Sequence, residues 1–270
     1  LIYGIPGFKL EKDIVLRRND QLQAGGVEFV LNCTVGEDIS FADLRAKHDA
    51  VVIATGVYKS RDLDAPGSAA AGVVRAIDYL TASNRVGFGD LVPAFDNGEL
   101  NAANKRVVVI GGGDTAMDCN RTSIRQGATS VSCAYRRDRE NMPGSRKEVK
   151  NAQEEGVQFL FNRQPIEIIG NNKVEGIKVV TPKLGEPDKN GRRKPTPVPG
   201  SEEILPADVV LIAFGFQPNP ASWMIDLGVN LNDWEGVIAP EDQQFKFQTT
   251  NPKVFAGGDM VRGSDLVVTA

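Results

Sequence analysis

The feature that most constrains this fold is a glycine-rich loop between a buried strand and a helix. Residues 107–116 read VVVIGGGDTA, so four β-branched residues run directly into Gly111. Gly111 permits a tight turn, Gly113 leaves room for a phosphate beside the backbone, and Ala116 allows helix and strand to pack closely. Unpaired amides and the helix dipole favour an anion here. The G-x-G-x-x-A spacing in this context predicts a dinucleotide-binding loop.

The elements around this loop alternate between strand and helix. Their predicted ranges are residues 107–110, 115–126, 130–135, 145–156 and 157–161. Gly127 ends the first helix, and Ser145 with Glu148 forms a capping box for the second. The strand–helix–strand–helix–strand order indicates a doubly wound α/β domain.

The rest of the chain predicts shorter elements. Residues 9–24 favour a helix, and residues 84–104 and 185–200 are polar and rich in Gly and Pro, which predicts loops. The predicted strands cover residues 27–31, 49–54, 173–181, 202–205, 208–214 and 253–256. We expect the pair at 173–181 and 202–205 to be antiparallel.

The end of the second strand of the α/β unit indicates which dinucleotide is bound. That strand ends in Tyr135, Arg136 and Arg137, where an Asp or Glu would accept hydrogen bonds from a ribose 2′-hydroxyl. Two guanidinium groups suit a 2′-phosphate instead, because they match its charge and its bidentate geometry. The sequence therefore predicts NADP(H) rather than NAD(H), with Arg139 and Arg146 as weaker candidates for the same phosphate.

Composition excludes several other classes of protein. The net charge is −4 with no long basic run, which argues against nucleic acid as a partner. The three cysteines form no CxxC, so we expect no zinc site, iron–sulfur cluster or thioredoxin-like redox pair in this chain. We find no apolar run long enough to cross a membrane and expect a cytoplasmic protein. His48 is the only histidine, and we predict no metal site and no catalytic acid or base.

Two strand–glycine junctions carry a further resemblance. Thr55 and Gly56 follow one buried strand, and Gly258 and Asp259 follow another. The pair resembles the two downstream FAD motifs of flavoproteins with two dinucleotide-binding domains. This resemblance implies that Asp259 hydrogen-bonds a ribityl hydroxyl of FAD and that Thr55 and Gly56 lie near the flavin.

Longer strings narrow the resemblance. YGIPGFKL at residues 3–10, GGGDTAMDC at 111–119, YRRD at 135–138, NMPGSRKEV at 141–149 and FAGGDMVRG at 255–263 together resemble the small (beta) subunit of NADPH-dependent glutamate synthase. The resemblance implies an NADPH-binding Rossmann-like domain inserted into a partial FAD-binding domain. Residues 1–100 and 216–270 would form the FAD part, and residues 101–215 the NADP(H) part.

The same resemblance implies a function. NADPH would pass a hydride to FAD, and electrons would continue through iron–sulfur clusters of the intact subunit to a large (alpha) subunit that makes L-glutamate. The family's iron–sulfur region and first FAD glycine-rich loop have no counterpart here, so we expect a fragment with an incomplete FAD site. Paralogous alternatives are a ferredoxin:NADP oxidoreductase subunit and the reductase part of dihydropyrimidine dehydrogenase. A third alternative is a catalytically silent module that only binds NADP(H).

The sequence and the resemblance together give one set of cofactor-binding residues. They are Gly111, Gly112, Gly113, Asp114, Thr115, Ala116, Tyr135, Arg136, Arg137, Gly215, Thr55, Gly56, Gly258, Asp259 and Thr269. A sheet edge exposed by missing termini further predicts a homodimer or aggregation through that surface.

Overall fold

The computed structural model describes residues 1–187 and 193–264, which divide into two compact units. Unit 1 combines Leu1–Asp20 with Asp62–Phe214. Unit 2 combines Gln21–Arg61 with Gly215–Ala270, of which the structure describes residues up to 264. Each unit is therefore built from two separate stretches of chain.

The helices and strands alternate irregularly along the chain. The helices are α1 (Lys12–Ala24), α2 (Phe41–Lys47), α3 (Ala76–Gly87), α4 (Pro93–Asp96), α5 (Asp114–Arg125), α6 (Arg146–Glu154), α7 (Ser222–Asp226) and α8 (Asp259–Arg262). The strands are β1 (Val51–Ile53), β2 (Lys59–Ser60), β3 (Val73–Arg75), β4 (Arg106–Ile110), β5 (Ser130–Tyr135), β6 (Gln158–Phe161), β7 (Gln164–Ile169), β8 (Gly176–Val180), β9 (Pro182–Pro187), β10 (Arg193–Pro197), β11 (Glu203–Pro206), β12 (Val209–Ile212), β13 (Phe216–Gln217) and β14 (Val254–Ala256).

Unit 1 is organised around a parallel sheet with strand order β3-β12-β4-β5-β6. Successive residues of β4 face opposite sides, and both sides are buried. Val107 and Val109 pack into one core with side chains of α3, α5 and α6, whereas Val108 and Ile110 pack into a second core. A strand buried on both faces needs an apolar residue at every position, which explains the uninterrupted VVVI run.

The second face of this sheet is covered by another sheet rather than by helices. Strands β11, β8 and β7 form an antiparallel sheet, and its Ile168, Ile177 and Leu205 share a core with Val108 and Ile110. The α/β class and the antiparallel pairing of β8 with β11 are thus confirmed. The predicted strands did not include β7, which completes this covering sheet beside Pro165.

Unit 2 has a smaller sheet. Strands β1 and β14 pair in parallel, and β2 pairs with β13 in antiparallel. Its core includes Phe41, Met224, Val254 and Met260. The ring of Phe41 stacks on another aromatic ring, Trp223, at a centroid distance of 4.5 Å.

Two predicted segments differ in the structure. Residues 27–31 form no strand, and Val30 and Leu31 are 68% and 77% exposed. A β-propensity run needs a partner strand for its backbone groups, and these residues pair with none in the described part of the chain. The predicted loop at 84–104 contains the end of α3 and all of α4, which begins at Pro93 because proline suits the first helical turn.

The predicted loop at 185–200 overlaps two paired strands. Strands β9 and β10 pair in antiparallel there, despite their prolines.

The predicted capping box at the start of α6 is half confirmed, because the Ser145 hydroxyl accepts from the Glu148 amide at 3.3 Å. The Glu148 carboxylate instead pairs with Arg121 at 2.7 Å, since a buried guanidinium needs a charge partner more than an amide at a helix end does.

One boundary between the compact units lies close to a predicted domain boundary, and the others do not. The division after Phe214 lies one residue before the predicted boundary at 215. Residues 1–20, part of the predicted FAD range 1–100, group with the glycine-rich loop in unit 1, where Lys9 pairs with Asp118. Residues 62–100 also group with that loop and not with the first stretch of unit 2. The reason is β3 and α3, which pack against β12 and α5.

Candidate nucleotide-binding site

The glycine-rich loop lies at the carboxyl edge of the parallel sheet. Ile110 of β4 is opposite Ala134 of β5 and Ile212 of β12. The chain turns at Gly111, whose φ is +146° and whose amide donates to Ala134 O at 3.2 Å. A Cβ at Gly111 would lie 2.3 Å from Ala213 O. Glycine is therefore required by both the backbone conformation and the neighbouring strand.

Gly112 is required by an aromatic side chain. A Cβ there would lie 2.5 Å from Cδ2 of Tyr135, which is only 9% exposed. The Tyr135 hydroxyl donates to Asn141 O at 2.7 Å. Tyr135 thus lies under the loop as a packing residue, with its polar end satisfied by the backbone.

Gly113 differs from its two neighbours, since a Cβ there would meet nothing within 4 Å. Gly113 is the N-cap of α5, and no side chain caps this end of the helix. The Ala116 amide donates to Gly113 O at 3.0 Å, and no side chain competes for the amides before it at this end of the helix. Ala116 is fully buried against the sheet. These features match the phosphate-binding geometry that the motif predicts.

Residues 136–145, the arm, connect β5 to α6 and fold back on the loop. The Gly144 amide donates to Gly112 O at 2.8 Å, and the Ser145 amide donates to the Asp114 carboxylate at 2.9 Å. A Cβ at Gly144 would lie 2.9 Å from Gly112 O. The glycine-rich loop and the arm thus form one hydrogen-bonded assembly.

Arg136 and Arg137 begin the arm, directly after the strand that neighbours β4. Arg136 is exposed and Arg137 is half-buried. In the described part of the chain, neither guanidinium has a hydrogen bond or ion pair to protein. Burial raises the pKa of Tyr135, while the charges of Arg137 and Arg136 act in the opposite direction. Two cations at this edge are available to an anionic ligand.

The two weaker arginine candidates lie in less suitable positions. The Arg139 guanidinium contacts Gln153 Oε1 at 3.4 Å, on the outer side of α6. Arg146 is exposed at the first position of α6. The contact of Arg139 is therefore made with α6 and not with the loop.

A buried charge cluster lies beneath the first half of α5. Asp118 is 6% exposed and pairs with Lys9 at 2.8 Å. Arg121 bridges Glu148 at 2.7 Å and Glu155 at 2.9 Å. Burial raises the pKa of Asp118 to about 6, although Lys9 opposes the shift. The cluster fixes α5 against α6 and the amino-terminal segment.

Cys133 is a residue that sequence reasoning missed. Its thiol donates to Gly111 O at 3.3 Å, and burial raises its pKa to about 12. The thiol therefore stays protonated and supports the turn. Gly144 was missed as a close-contact glycine, although its position between Pro143 and the helix-capping Ser145 was a usable signal.

The two junctions of unit 2 lie side by side. Because β1 and β14 are parallel and Ile53 is opposite Ala256, Gly56 and Gly258 both follow the same edge of the sheet. The Gly257 amide donates to Ile53 O at 3.2 Å, and both Gly56 and Gly258 have a φ of +68°. Asp259 is half-buried at the start of α8.

Two other predicted cofactor-binding residues lie outside both the glycine-rich loop and the paired junctions. Gly215, with a φ of +78°, begins the second stretch of unit 2, where its carbonyl accepts from the Arg61 amide at 3.1 Å. Thr269 lies outside the described residues.

Comparison with known proteins decides the family. The model of the pyridine nucleotide-disulphide oxidoreductase family matches residues 9–270. The chain belongs to this family. The predicted fold class is confirmed by FprA of Mycobacterium tuberculosis, solved in complex with NADPH, which shares 21% identity at a TM-score of 0.77. That likeness covers 99% of this chain and 71% of FprA.

Among curated members, this oxidoreductase chain is similar to glutamate synthase [NADPH] small chains. It is 57% identical to that of Halomonas elongata over 270 residues and 53% identical to that of Escherichia coli K12 over 274 residues. Both alignments cover 100% of this chain and 57% of the relative. The chain thus spans a little over half the length of these relatives.

The described residues hold neither a metal-binding cluster nor a membrane-spanning helix. Among residues 1–187 and 193–264, no group of three or more His, Cys, Asp or Glu side chains could hold a metal ion. In the same ranges, no helix is both long and apolar enough to cross a membrane.

Proposed function

We propose that unit 1 binds NADP(H) across the glycine-rich loop and the arm. The observation that carries this proposal is the position of Arg136 and Arg137 at the carboxyl edge beside that loop. The chain crosses to β5 and β6 on one side of β4 and returns to β12 on the other. Ligands of open α/β sheets bind at such a reversal of strand order.

Charge decides between the two nicotinamide dinucleotides. The amides at Gly113 and the dipole of α5 serve the pyrophosphate, which both dinucleotides carry. The two guanidinium groups lack protein partners in the described residues, and desolvating them against a neutral hydroxyl would gain little. A 2′-phosphate supplies the charge and the acceptor oxygens that they need.

We propose that unit 2 contributes to an FAD site through its paired junctions. The close parallel pairing of β1 with β14 supports this assignment, because it brings Gly56 and Asp259 to one edge. FAD would supply the hydride-accepting chemistry, so no protein nucleophile is required. Glycines at the two turns leave room for a polar chain, and a carboxylate can accept a hydrogen bond from its hydroxyls.

In the whole protein, this chain would be part of the NADPH-oxidising subunit of a glutamate synthase. The identities of 57% and 53% over the full chain support this role. Electrons from NADPH would pass through FAD and the iron–sulfur clusters of the intact subunit to a large subunit that makes L-glutamate. A cytoplasmic location and an incomplete FAD site in this chain belong to the same proposal.

Calorimetric titration with NADP⁺ and NAD⁺ tests the cofactor. We expect clear preference for NADP⁺, and the double variant Arg136→Ala with Arg137→Ala should lose roughly 100-fold in NADP⁺ affinity. NAD⁺ affinity should change little. The matched control is Lys47→Ala with Lys246→Ala, which removes the same charge from exposed positions of unit 2. Equal affinities for both dinucleotides in the wild-type chain would refute the proposal.

An absorbance scan after incubation with FAD and removal of excess cofactor tests the flavin site. A retained flavin band that weakens in Asp259→Ala is the expected result. A band unchanged in that variant would reject the role of Asp259. No band in the wild-type chain would leave NADP(H) binding as the function of this chain by itself.

A further inference from the structure

The carboxylate of Asp114 lies in the first turn of the phosphate-binding helix, where an acidic group is unexpected beside an anionic ligand. We propose that Asp114 is a positioning residue: it fixes the arm against the glycine-rich loop and thereby sets the selectivity for the 2′-phosphate, without contacting the nucleotide. This inference rests on the proposed NADP(H) function and adds a selectivity determinant to it.

The first step concerns how the arm is held. It is attached at the β5 end by the Tyr135 hydroxyl, which donates to Asn141 O at 2.7 Å, and by Arg137 O, which accepts from the Asn162 amide at 3.0 Å. It is attached at the α6 end by Gly144 to Gly112 at 2.8 Å and by Ser145 to Asp114 at 2.9 Å. The last of these is the attachment made by a side chain of α5, and it joins residues 31 positions apart in sequence.

The second step concerns charge. An ionised carboxylate at a helix N-terminus is favourable by itself, yet it repels a pyrophosphate bound at the same turn. Here Asp114 accepts from an amide of the arm, immediately before α6 begins at Arg146. The carboxylate therefore serves two helix N-termini, and one of its oxygens is engaged by the arm. Its geometry, rather than its charge, is what the site requires.

The third step separates the loop from the arm. The loop has its own supports, namely the contact of Gly111 with Ala213, the packing of Gly112 on Tyr135, and the Cys133 thiol. Losing the Asp114 contact leaves those supports in place. The arm, however, carries Arg136 and Arg137, and the Arg137 backbone stays attached to the Asn162 amide. A shift of the rest of the arm therefore changes how these two side chains are oriented toward the 2′-phosphate and spares the pyrophosphate. NAD⁺ lacks the 2′-phosphate, so its affinity shows whether the pyrophosphate site is still intact.

The first experiment compares Asp114→Ala with Asp114→Asn by calorimetric titration of NADP⁺ and NAD⁺. Asn keeps an acceptor oxygen at the same distance but removes the charge, whereas Ala removes both. We expect Asp114→Ala to bind NADP⁺ roughly tenfold more weakly while NAD⁺ changes less than about twofold. We expect Asp114→Asn to keep the wild-type preference for NADP⁺.

The second experiment removes the contact from its other side. Ser145 has a φ of −59°, which proline adopts without strain, so Ser145→Pro deletes the amide donor. Ser145→Ala is the matched control, because it removes the same hydroxyl cap and keeps the amide. We expect Ser145→Pro, but not Ser145→Ala, to reproduce the selective loss of NADP⁺ affinity. Circular dichroism and thermal melting verify that each variant is folded.

The outcomes separate this inference from the proposed function. A wild-type chain without preference for NADP⁺ refutes the proposed function. A wild-type preference that persists in Asp114→Ala and Ser145→Pro overturns the inference alone. Equal losses for NADP⁺ and NAD⁺ in Asp114→Ala also overturn it, as they would show that Asp114 supports the loop itself. A loss in Asp114→Asn as large as in Asp114→Ala would assign the role to charge instead of position.

Discussion

The glycine-rich loop of unit 1 and the paired junctions of unit 2 are both strand–glycine turns, but they are supported very differently. The loop follows the central strand of a five-stranded sheet whose two faces are buried, and backbone contacts surround it. The junctions follow a two-stranded sheet, and Val52 of β1 is 68% exposed. The loop is held at Gly111 and Gly112 by neighbouring strands and the arm, while the junctions are held mainly along one strand pair.

This difference shows what a glycine in a binding turn can signify. At Gly111 the neighbouring carbonyl excludes any side chain, so the residue is needed for the fold. At Gly56 a Cβ would be 3.2 Å from the ring of Tyr58, which is 77% exposed and can move. Gly56 is required chiefly by its φ of +68°. Glycine is thus required for steric reasons at Gly111 and for its backbone conformation at Gly56.

The largest effect is expected from Gly111→Ala compared with Gly56→Ala. Gly111→Ala should destabilise unit 1 by at least about 3 kcal/mol, because its Cβ would overlap a backbone oxygen that cannot move away. Gly56→Ala should cost unit 2 only about 1 to 2 kcal/mol, the cost of a left-handed conformation. Urea unfolding followed by hydrogen exchange would assign each loss to its unit.

Gly113→Ala is the matched control inside the loop. No atom lies within 4 Å of its Cβ, and its φ is −89°, so stability should fall by no more than about 1 kcal/mol. Equal destabilisation by all three substitutions would remove the contrast between the two units.

An intermediate effect is expected from the buried charge under the loop. The pKa of Asp118 is raised to about 6 from an ordinary value of 3.8, so the folded protein binds this proton more tightly than the unfolded chain does. Its contribution to the free energy of unfolding is fully present below about pH 4 and is lost as pH rises through 6. The loss should amount to about 2 to 3 kcal/mol.

Asp118→Asn tests this pH dependence, since Asn cannot titrate. The free energy of unfolding of the wild type minus that of the variant should fall between pH 4 and 6 and then level off. A difference that instead rises with pH below 4 would show that the Lys9 pair outweighs burial. Equilibrium unfolding at five or six pH values supplies the measurement.

The smallest effect is expected at two matched helix caps, one in each unit. The Ser145 hydroxyl accepts from the Glu148 amide at 3.3 Å, and the Ser40 hydroxyl accepts from the Asp43 amide at 3.0 Å. Each Ser→Ala change should cost about 1 kcal/mol. Hydrogen exchange should rise in α6 for one variant and in α2 for the other. Exchange that rises across both units for either variant would contradict their description as separate compact units.

The parts of the site that the sequence predicted are local. A strand, a turn and a helix that follow one another directly predicted the loop, and two arginines at a strand end are the proposed ligands of the 2′-phosphate. The supports of the site were not predictable in this way. Gly144 against Gly112, and the Cys133 thiol on Gly111 O, join residues 32 and 22 positions apart, and no short-range pattern marks such contacts.

The elements of the fold likewise separate into those that local sequence predicts and those that depend on distant contacts. By itself, the sequence determined the apolar strand β4, its glycine turn and helix α5, because hydrophobic periodicity and glycine chemistry act within one element. Only the tertiary structure decided that an antiparallel sheet covers the second face of β4, that residues 27–31 stay unpaired, and that Asp114 receives an amide of the arm. Each of these depends on which distant segment satisfies a buried face or a backbone group, and that choice is made by packing.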